Sequence, residues 1–289
     1  MTAVRHSLER PTPRLVGLKT LVAGGLGSIG SCLTVRLVEL GADVTVIDCL
    51  LPEGGGSLEN IATVRDHVRV VNGDVRDAME GVCAGSDLVF NLVGRTGHYD
   101  SIVDPMGDLA MNCAAPLVVL ECCRKHAPHA RIVFTSTRQV YGRPDALPVA
   151  EDHPLRPLDF NGIHKVAAEG YHLLHHRLYG TAICVLRITN VLGPVMRTRD
   201  IRQMFLGEWI RRLLKGKPIE VWGGAQRRDI IDVDDCVDAL VLAATSPIAS
   251  GRVFNVGHNS PIRLDELAYL LVRLHGRGDV VVREFPLCQ

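Results

Sequence analysis

The chain lacks a net charge. Its 32 lysines and arginines balance 32 aspartates and glutamates. No long run of either sign breaks that balance, which argues against nucleic acid or any partner held by charge alone. It also lacks a CxxC pair. Nine cysteines, odd in number and scattered apart from adjacent Cys122 and Cys123, read as free buried thiols in a reducing compartment. A secretory signal is missing too: MTAVRHSLERPTPRL is polar and proline-containing, and no later apolar run reads as long enough to span a membrane. The expectation is a cytoplasmic protein with no membrane partner, its residues 1–16 a flexible tail. No metal site is expected. His172, His175 and His176 share one stretch at i, i+3, i+4 spacing, but no carboxylate or cysteine completes a ligand set.

What is present is enough apolar material for a large core, 47% of 289 residues. Short β-rich runs alternate with helical patterns through the first half. Strands are expected at Leu18–Ala23, Val44–Asp48, Val68–Val71, Leu88–Leu92, Arg131–Thr135 and Ala182–Ile188. Helices are expected over Ser28–Leu40, Asp108–Lys125 and Phe160–Leu178. Such alternation implies a parallel sheet covered on both faces, and the near-continuous apolar strands VTVI, LVFNLV and AICVL fit that burial. The second half is less regular: helices at Ile201–Leu214, Val233–Ala244 and Leu264–Leu274, and short strands at IEVWG and Val253–Val256.

The most informative stretch is TLVAGGLGSIGSCLTVRLVEL, which runs strand, glycine turn, helix. Gly25-Leu26-Gly27-Ser28-Ile29-Gly30 fits GxGxxG, and Gly24, Gly27 and Gly30 also fit GxxGxxG. Glycine permits the tight turn and the close approach of backbone to a pyrophosphate, and the helix N-terminus offers unpaired N–H groups. Asp48 ends the next strand, where an acid accepts hydrogen bonds from ribose hydroxyls and repels a 2′-phosphate. The cofactor read from this is NAD(P)H, with NAD favoured and NADP still admitted through nearby arginines. The fold class is therefore α/β, a Rossmann-type doubly wound parallel sheet with a smaller C-terminal substrate lobe. Residues 17–188 form the dinucleotide-binding domain and 189–289 the lobe, with the chain crossing back to the sheet.

These residues resemble the extended short-chain dehydrogenase/reductases, the NAD-dependent epimerase/dehydratase family, over about residues 18–258. The resemblance implies that Gly24, Gly27, Ser28, Ile29 and Gly30 form the cofactor loop and that Asp74 and Val75 meet the adenine end. It implies that Leu92, Val93 and Gly94 pass alongside the cofactor. Asn112 sits where the family places a helix asparagine. Thr137, four residues before Tyr141, matches the catalytic Ser/Thr, with Ser136 beside it on the substrate side. Arg228 matches an arginine that grips the diphosphate of a nucleotide sugar, and Asn190 another substrate contact. Gln226–Asp235 and Phe254-Asn-Val-Gly257 resemble later family elements. The helices at 108–125 and 160–178 match those that pair family members, which implies a homodimer.

One position departs from the pattern. The family's catalytic pair is Tyr-x-x-x-Lys, whereas here Lys165 is preceded by Asn161. In the family the tyrosine moves the proton of the carbonyl/alcohol oxygen and the lysine lowers its pKa and holds the nicotinamide ribose. An asparagine amide donates a hydrogen bond but is no general acid near neutral pH. Three readings follow. In the first, Thr137, Lys165 and Asn161 still support hydride transfer to an activated, aromatic polyketide-type ketone that needs little proton assistance. In the second, Tyr141 or another group moves in and nucleotide-sugar epimerase or dehydratase chemistry survives. In the third, the protein binds the dinucleotide without catalysis. The first leads. The missing tyrosine, and the expectation that the chain stops short of the family's C-terminal portion, are similar to atypical ketoreductases of the simocyclinone antibiotic pathway. His98, in the loop after the fourth strand, lines the substrate side as a further acid.

Overall fold

The strands form where the alternation places them. In the computed structural model, which describes residues 13–51, 55–195 and 205–285, β1 (Lys19–Ala23), β2 (Asp43–Asp48), β3 (Val68–Asn72), β4 (Leu88–Asn91), β5 (Arg131–Thr137) and β6 (Ala182–Ile188) line up in one parallel sheet. A seventh strand, β11 (Arg252–Val256), returns from the C-terminal half to pair with β6, giving the order β11-β6-β5-β4-β1-β2-β3. Successive side chains of a strand point to opposite faces. Leu21 thus packs with Ile47, Val89 and Ile132 on one side, while its neighbour Val22 packs with Val44, Val46 and Phe90 on the other. Both faces are dry, and each such side chain contributes roughly 1.5–3 kcal/mol on burial.

Helices cover both faces. Helix α1 (Ser28–Glu39) and α8 (Val233–Thr245) lie on the Val22 side. Short α2 (Val75–Ala78) and α5 (Ala115–His126) lie on the Leu21 side. Helix α3 (His98–Val103) leads into α4 (Pro105–Leu109), which continues through a π-turn at Ala110–Ala114 into α5. Helix α6 (Phe160–Tyr179) is capped at its start by the Asp159 carboxylate and ended by Gly180 in the left-handed region, φ 69°.

The stretch Pro105–His126 corrects one expectation. By length and composition it is apolar enough to cross a membrane, with a mean hydropathy of 1.3, yet 56% of that window is buried within the fold. Packing against the sheet explains its composition.

The smaller lobe is built by α7 (Phe205–Leu214), β8 (Ile219–Trp222), α9 (Leu264–His275) and β13 (Val280–Arg283), with Leu206, Trp209, Ile219, Val221, Leu264 and Leu267 as its core. Strand β7 (Asn190–Leu192) pairs with β10 (Ile230–Asp232), and β9 (Arg227–Arg228) with β12 (Ile262–Arg263). Of the helix expected over 201–214, residues 201–204 lie outside the described residues. So do residues 1–12 of the expected tail, whereas Leu15 is buried and its N–H donates to the Leu40 carbonyl at 3.0 Å.

The three clustered histidines serve three separate purposes. His172 stacks on Phe134 and donates through Nδ1 to the Ala168 carbonyl, His175 pairs with Glu121, and His176 contacts the Thr181 carbonyl. The eight described cysteines are free thiols, six of them buried. Burial pushes Cys123 and Cys236 up to about 12, so neither carries a reactive thiolate.

Candidate active site

The carboxyl ends of β1, β2, β4 and β5 bring the glycine loop, Asp48, Gly94 and Thr137 to one edge of the sheet. This is where open α/β sheets bind ligands. The loop is tight. Gly24 has φ +81°, and a Cβ there would come within 2.9 Å of the Leu92 carbonyl oxygen. A Cβ on Gly30 would overlap the Gly24 carbonyl oxygen and lie 2.8 Å from the Gly25 Cα. Gly27, by contrast, faces open space, with nothing nearer to its would-be Cβ than the Gly24 oxygen at 3.7 Å. It caps α1 without any side-chain hydrogen bond, and no acid sits in the first turn. The N–H groups at Ser28 and Ile29 therefore begin the helix with no side-chain acceptor over them, which suits an anion.

Asp48 Oδ2 accepts from the Leu26 N–H at 3.0 Å and Oδ1 from the Leu50 N–H at 2.9 Å, so its carboxylate is fixed beside the glycine loop. Asp74 caps α2 and pairs with Arg76. The Arg76 hydrogen bond holds the Asp74 carboxyl below the usual carboxylate range. Val75, next to it, is buried. An open cradle above a helix start, a fixed acid one strand over and a second acid beyond it fit a dinucleotide.

Lys165, on the first turns of α6, is buried. Its Nζ donates to the Thr135 carbonyl at 3.2 Å and the Val93 carbonyl at 3.4 Å and lies over the Phe134 ring. Burial lowers its pKa to about 8, against the opposing pull of Asp108 and Glu169. A Cβ on Gly94 would come 3.0 Å from this Nζ, so glycine there clears the lysine's path. Thr137 ends β5 half-buried, its Oγ1 accepting from the Gln139 N–H at 3.3 Å.

Asn161 occupies the tyrosine slot, 3% exposed. Its Nδ2 donates to the Arg95 carbonyl at 3.0 Å and to Asp108 Oδ2 at 3.2 Å. Asp108 is a hub: Asn112 Nδ2 also reaches its Oδ2 at 3.0 Å, and His164 Nδ1 lies 2.7 Å from its Oδ1. Asn112 in turn exchanges hydrogen bonds with the Arg95 backbone. His98 is exposed, with Nδ1 2.6 Å from Asp159 Oδ2.

Two expectations are corrected here. Ser136 does not face the substrate side with Thr137: strand alternation turns it the other way, where it is buried and donates to Glu169. Tyr141 does not move into the empty slot. It is 4% exposed, and its hydroxyl donates to Asn255 Oδ1 at 2.7 Å and accepts from Arg187 Nη1 at 2.8 Å. Arg187 is itself paired with buried Glu169 at 2.8 Å.

On the lobe side, Asn190 Nδ2 donates to the Asp229 carbonyl at 2.8 Å, holding the backbone next to Arg228. Arg228 is half-buried on β9. Sequence reasoning missed Arg138, directly after Thr137. Burial and then the charge of Arg228 push its guanidinium pKa down, opposed by Asp159 and Asp229. It also missed Asp108, Asp159 and His164, which belong to no sequence motif and are joined only by the fold. Among the described residues, no group of three or more His, Cys, Asp or Glu side chains is arranged to hold a metal ion.

Comparison with known proteins agrees with this geometry. Residues 20–257 match the NAD dependent epimerase/dehydratase family. The chain is 32% identical over 252 residues to a UDP-glucose 4-epimerase of Mycolicibacterium smegmatis, covering 83% of this chain and 77% of that protein. Among solved structures, it is similar to a UDP-N-acetylglucosamine 4-epimerase from Methanobrevibacter ruminantium in complex with UDP-N-acetylmuramic acid. That match has a TM-score of 0.87 and 26% identity, over 93% of this chain and 86% of the other. It is also similar to DesIV, a dTDP-glucose 4,6-dehydratase from Streptomyces venezuelae with NAD and TYD bound, with a TM-score of 0.84 and 26% identity over 93% and 85%. These findings overturn the expected ketoreductase of an aromatic polyketide in antibiotic biosynthesis, and with it the likeness to a simocyclinone-pathway enzyme. These three similar proteins are nucleotide-sugar epimerases and a nucleotide-sugar dehydratase.

Proposed function

The chain belongs to the NAD-dependent epimerase/dehydratase family of extended short-chain dehydrogenase/reductases, a family of oxidoreductase-type enzymes, and from that premise we propose that it epimerises or dehydrates a nucleoside-diphosphate sugar. The observation that carries this reading is the span of the match. It takes in both the glycine loop at 24–30 and the lobe with Asn190 and Arg228, on either side of Thr137 and Lys165.

NAD is the cofactor. When bound it supplies the acceptor and donor of hydride. Gly24, Gly27, Ser28, Ile29 and Gly30 hold its pyrophosphate through backbone N–H groups. Asp48 takes the adenosine ribose hydroxyls and Asp74 with Val75 the adenine. Leu92, Val93 and Gly94 run past the nicotinamide half, and Lys165 binds its ribose. Thr137 Oγ1 orients the sugar hydroxyl that is oxidised. Arg228 neutralises the diphosphate and Asn190 keeps that segment in place. Asn161 is a hydrogen-bonding residue and moves no proton.

Two copies pair through the helices over 108–125 and 160–178, a reading supported by exposed Leu109, Ile163 and Leu174 along them. The cytoplasm is the compartment that suits free thiols.

The test is incubation of the NAD-loaded protein with UDP- and dTDP-hexoses, followed by NMR of the products. A 4-epimer or a 4-keto-6-deoxy sugar, with no net change in NADH, is expected. If every nucleotide sugar is recovered unchanged, the reading fails.

A further inference from the structure

Alcohol oxidation needs somewhere for the hydroxyl proton to go, and the groups nearest the tyrosine slot are already committed. Both bonds made by the Asn161 amide nitrogen go to the Arg95 carbonyl and Asp108. The Tyr141 hydroxyl is locked between Asn255 and Arg187. Lys165 Nζ donates to two backbone carbonyls. The His164 ring is buried against Asp108.

His98 differs from all of these. Its side chain is 59% exposed, while its partner Asp159 is 6% exposed. Asp159 Oδ1 accepts from the Gly162 N–H at 2.6 Å as the cap of α6, which fixes the carboxylate that holds His98 Nδ1. With its Nδ1 proton turned to Asp159, the neutral imidazole leaves Nε2 as an open acceptor. A buried carboxylate orienting one ring nitrogen so that the other can take a proton is the arrangement that makes histidine an effective base.

Position supports the same reading. The loop carrying His98 leaves β4 at the cofactor edge, beginning with Gly94 beside Lys165 Nζ. The segment 159–161 grips that loop twice: Asp159 on His98 at 2.6 Å, and Asn161 on the Arg95 carbonyl at 3.0 Å. The residue that replaces tyrosine therefore helps to hold in place a loop bearing an oriented histidine.

We propose that His98, positioned by Asp159, accepts and returns the proton of the sugar hydroxyl in place of the absent tyrosine; this rests on the nucleotide-sugar reading above. In the oxidation, the carbinol C–H bond breaks and its electron pair leaves as hydride for the nicotinamide of NAD. The O–H bond breaks, its proton passes to His98 Nε2, and its electron pair becomes the second bond of the carbonyl. The imidazolium is paired with the Asp159 carboxylate. When hydride returns, Nε2 gives the proton back, so neither cofactor nor histidine is consumed.

The experiment compares wild type, His98→Gly, His98→Gln and Asp159→Asn, each loaded with NAD, on the nucleotide sugar the wild type converts best. NAD affinity and thermal unfolding are measured alongside. The His98 variants should lose on the order of 100-fold or more in kcat, the usual worth of a positioned acid–base group. KM, NAD affinity and melting temperature should stay near wild type, because the side chain is exposed. Free imidazole should restore part of the activity of His98→Gly and none of that of His98→Gln. Asp159→Asn, which still caps the helix, should lose kcat by a smaller factor. Wild-type kcat in the His98 variants overturns the proposal and leaves the nucleotide-sugar reading standing. Loss of kcat that imidazole does not rescue assigns His98 a structural role and overturns it too. A wild type that converts no nucleotide sugar overturns both.

Discussion

Asn161 puts its amide where a family tyrosine would present a hydroxyl, and the structure gives that amide another task. It bridges the Arg95 carbonyl, in the loop after β4, and the Asp108 carboxylate, on α4. Removing it leaves buried polar groups short of a donor, which costs about 1–3 kcal/mol. Asn161→Ala should therefore lower stability by roughly that amount in urea unfolding, while reducing turnover less than Thr137→Ala, which removes the hydroxyl proposed above to orient the sugar. Equal losses of turnover would mean that the amide itself touches substrate. At this scale the sequence was only partly legible. Thr137, Asn161 and Lys165 could be read from motif spacing, because strand-end and helix positions repeat at fixed offsets. Asp108, Asp159 and Arg138 could not. Asp108 and Asp159 owe their significance to side chains 53 and 61 residues away meeting them in the fold, and Arg138 to the charge of Arg228 on the lobe; no local pattern encodes that. Ser136 was misread because motif matching ignores the two-residue alternation that turns it inward.

Among elements, the glycine turn and α1 are the most constrained. The close approach of Gly30 to the Gly24 carbonyl leaves no room for a methyl group. Gly30→Ala must displace either the loop or the helix, so NAD affinity should fall by an order of magnitude or more in a fluorescence titration, with secondary structure by circular dichroism little changed. An unaltered affinity would mean that the loop yields cheaply. Strands β1 to β6 start and stop close to where their apolar runs do, since a strand buried on both faces has nothing polar to blur its ends. The pairs β7 with β10 and β9 with β12 were invisible beforehand. Each is two or three residues long and exists only because its partner is brought beside it by the rest of the lobe. The 3-10 segment Leu58–His67 was equally unreadable, with just two buried residues, Ile61 and Val64, and no sustained period.

At the scale of the whole molecule, one buried histidine that stays neutral when folded contributes to the response to acid. His172 lies inside the core, its Nδ1–H on the Ala168 carbonyl and its Nε2 facing the Asn91 amide nitrogen at 3.3 Å. Burial lowers its pKa to about 3, so it is neutral in the folded state. The unfolded chain, with a histidine near its ordinary 6.5, binds a proton that the native state refuses between those values. That stability is fully present above about 6.5 and is lost progressively as pH falls toward 3. Chemical unfolding from pH 7 down to 4 should show the decline, and His172→Gln should flatten it. A slope unchanged by the substitution would place the acid sensitivity elsewhere.

The return of β11 to the sheet has a consequence for the chain while it is still unfinished. Until residues 252–256 arrive, β6 is the sheet's open margin: seven residues, AICVLRI, nearly all apolar and with a full row of unpaired N–H and C=O groups. Such a margin is a template for another chain's backbone. The strand made some 65 residues later closes it, with Arg252 as the exposed residue of a short outer edge. A nascent or truncated chain that stops before that point would present its stickiest strand to its neighbours, so the last-added strand of the sheet also protects the protein from self-association.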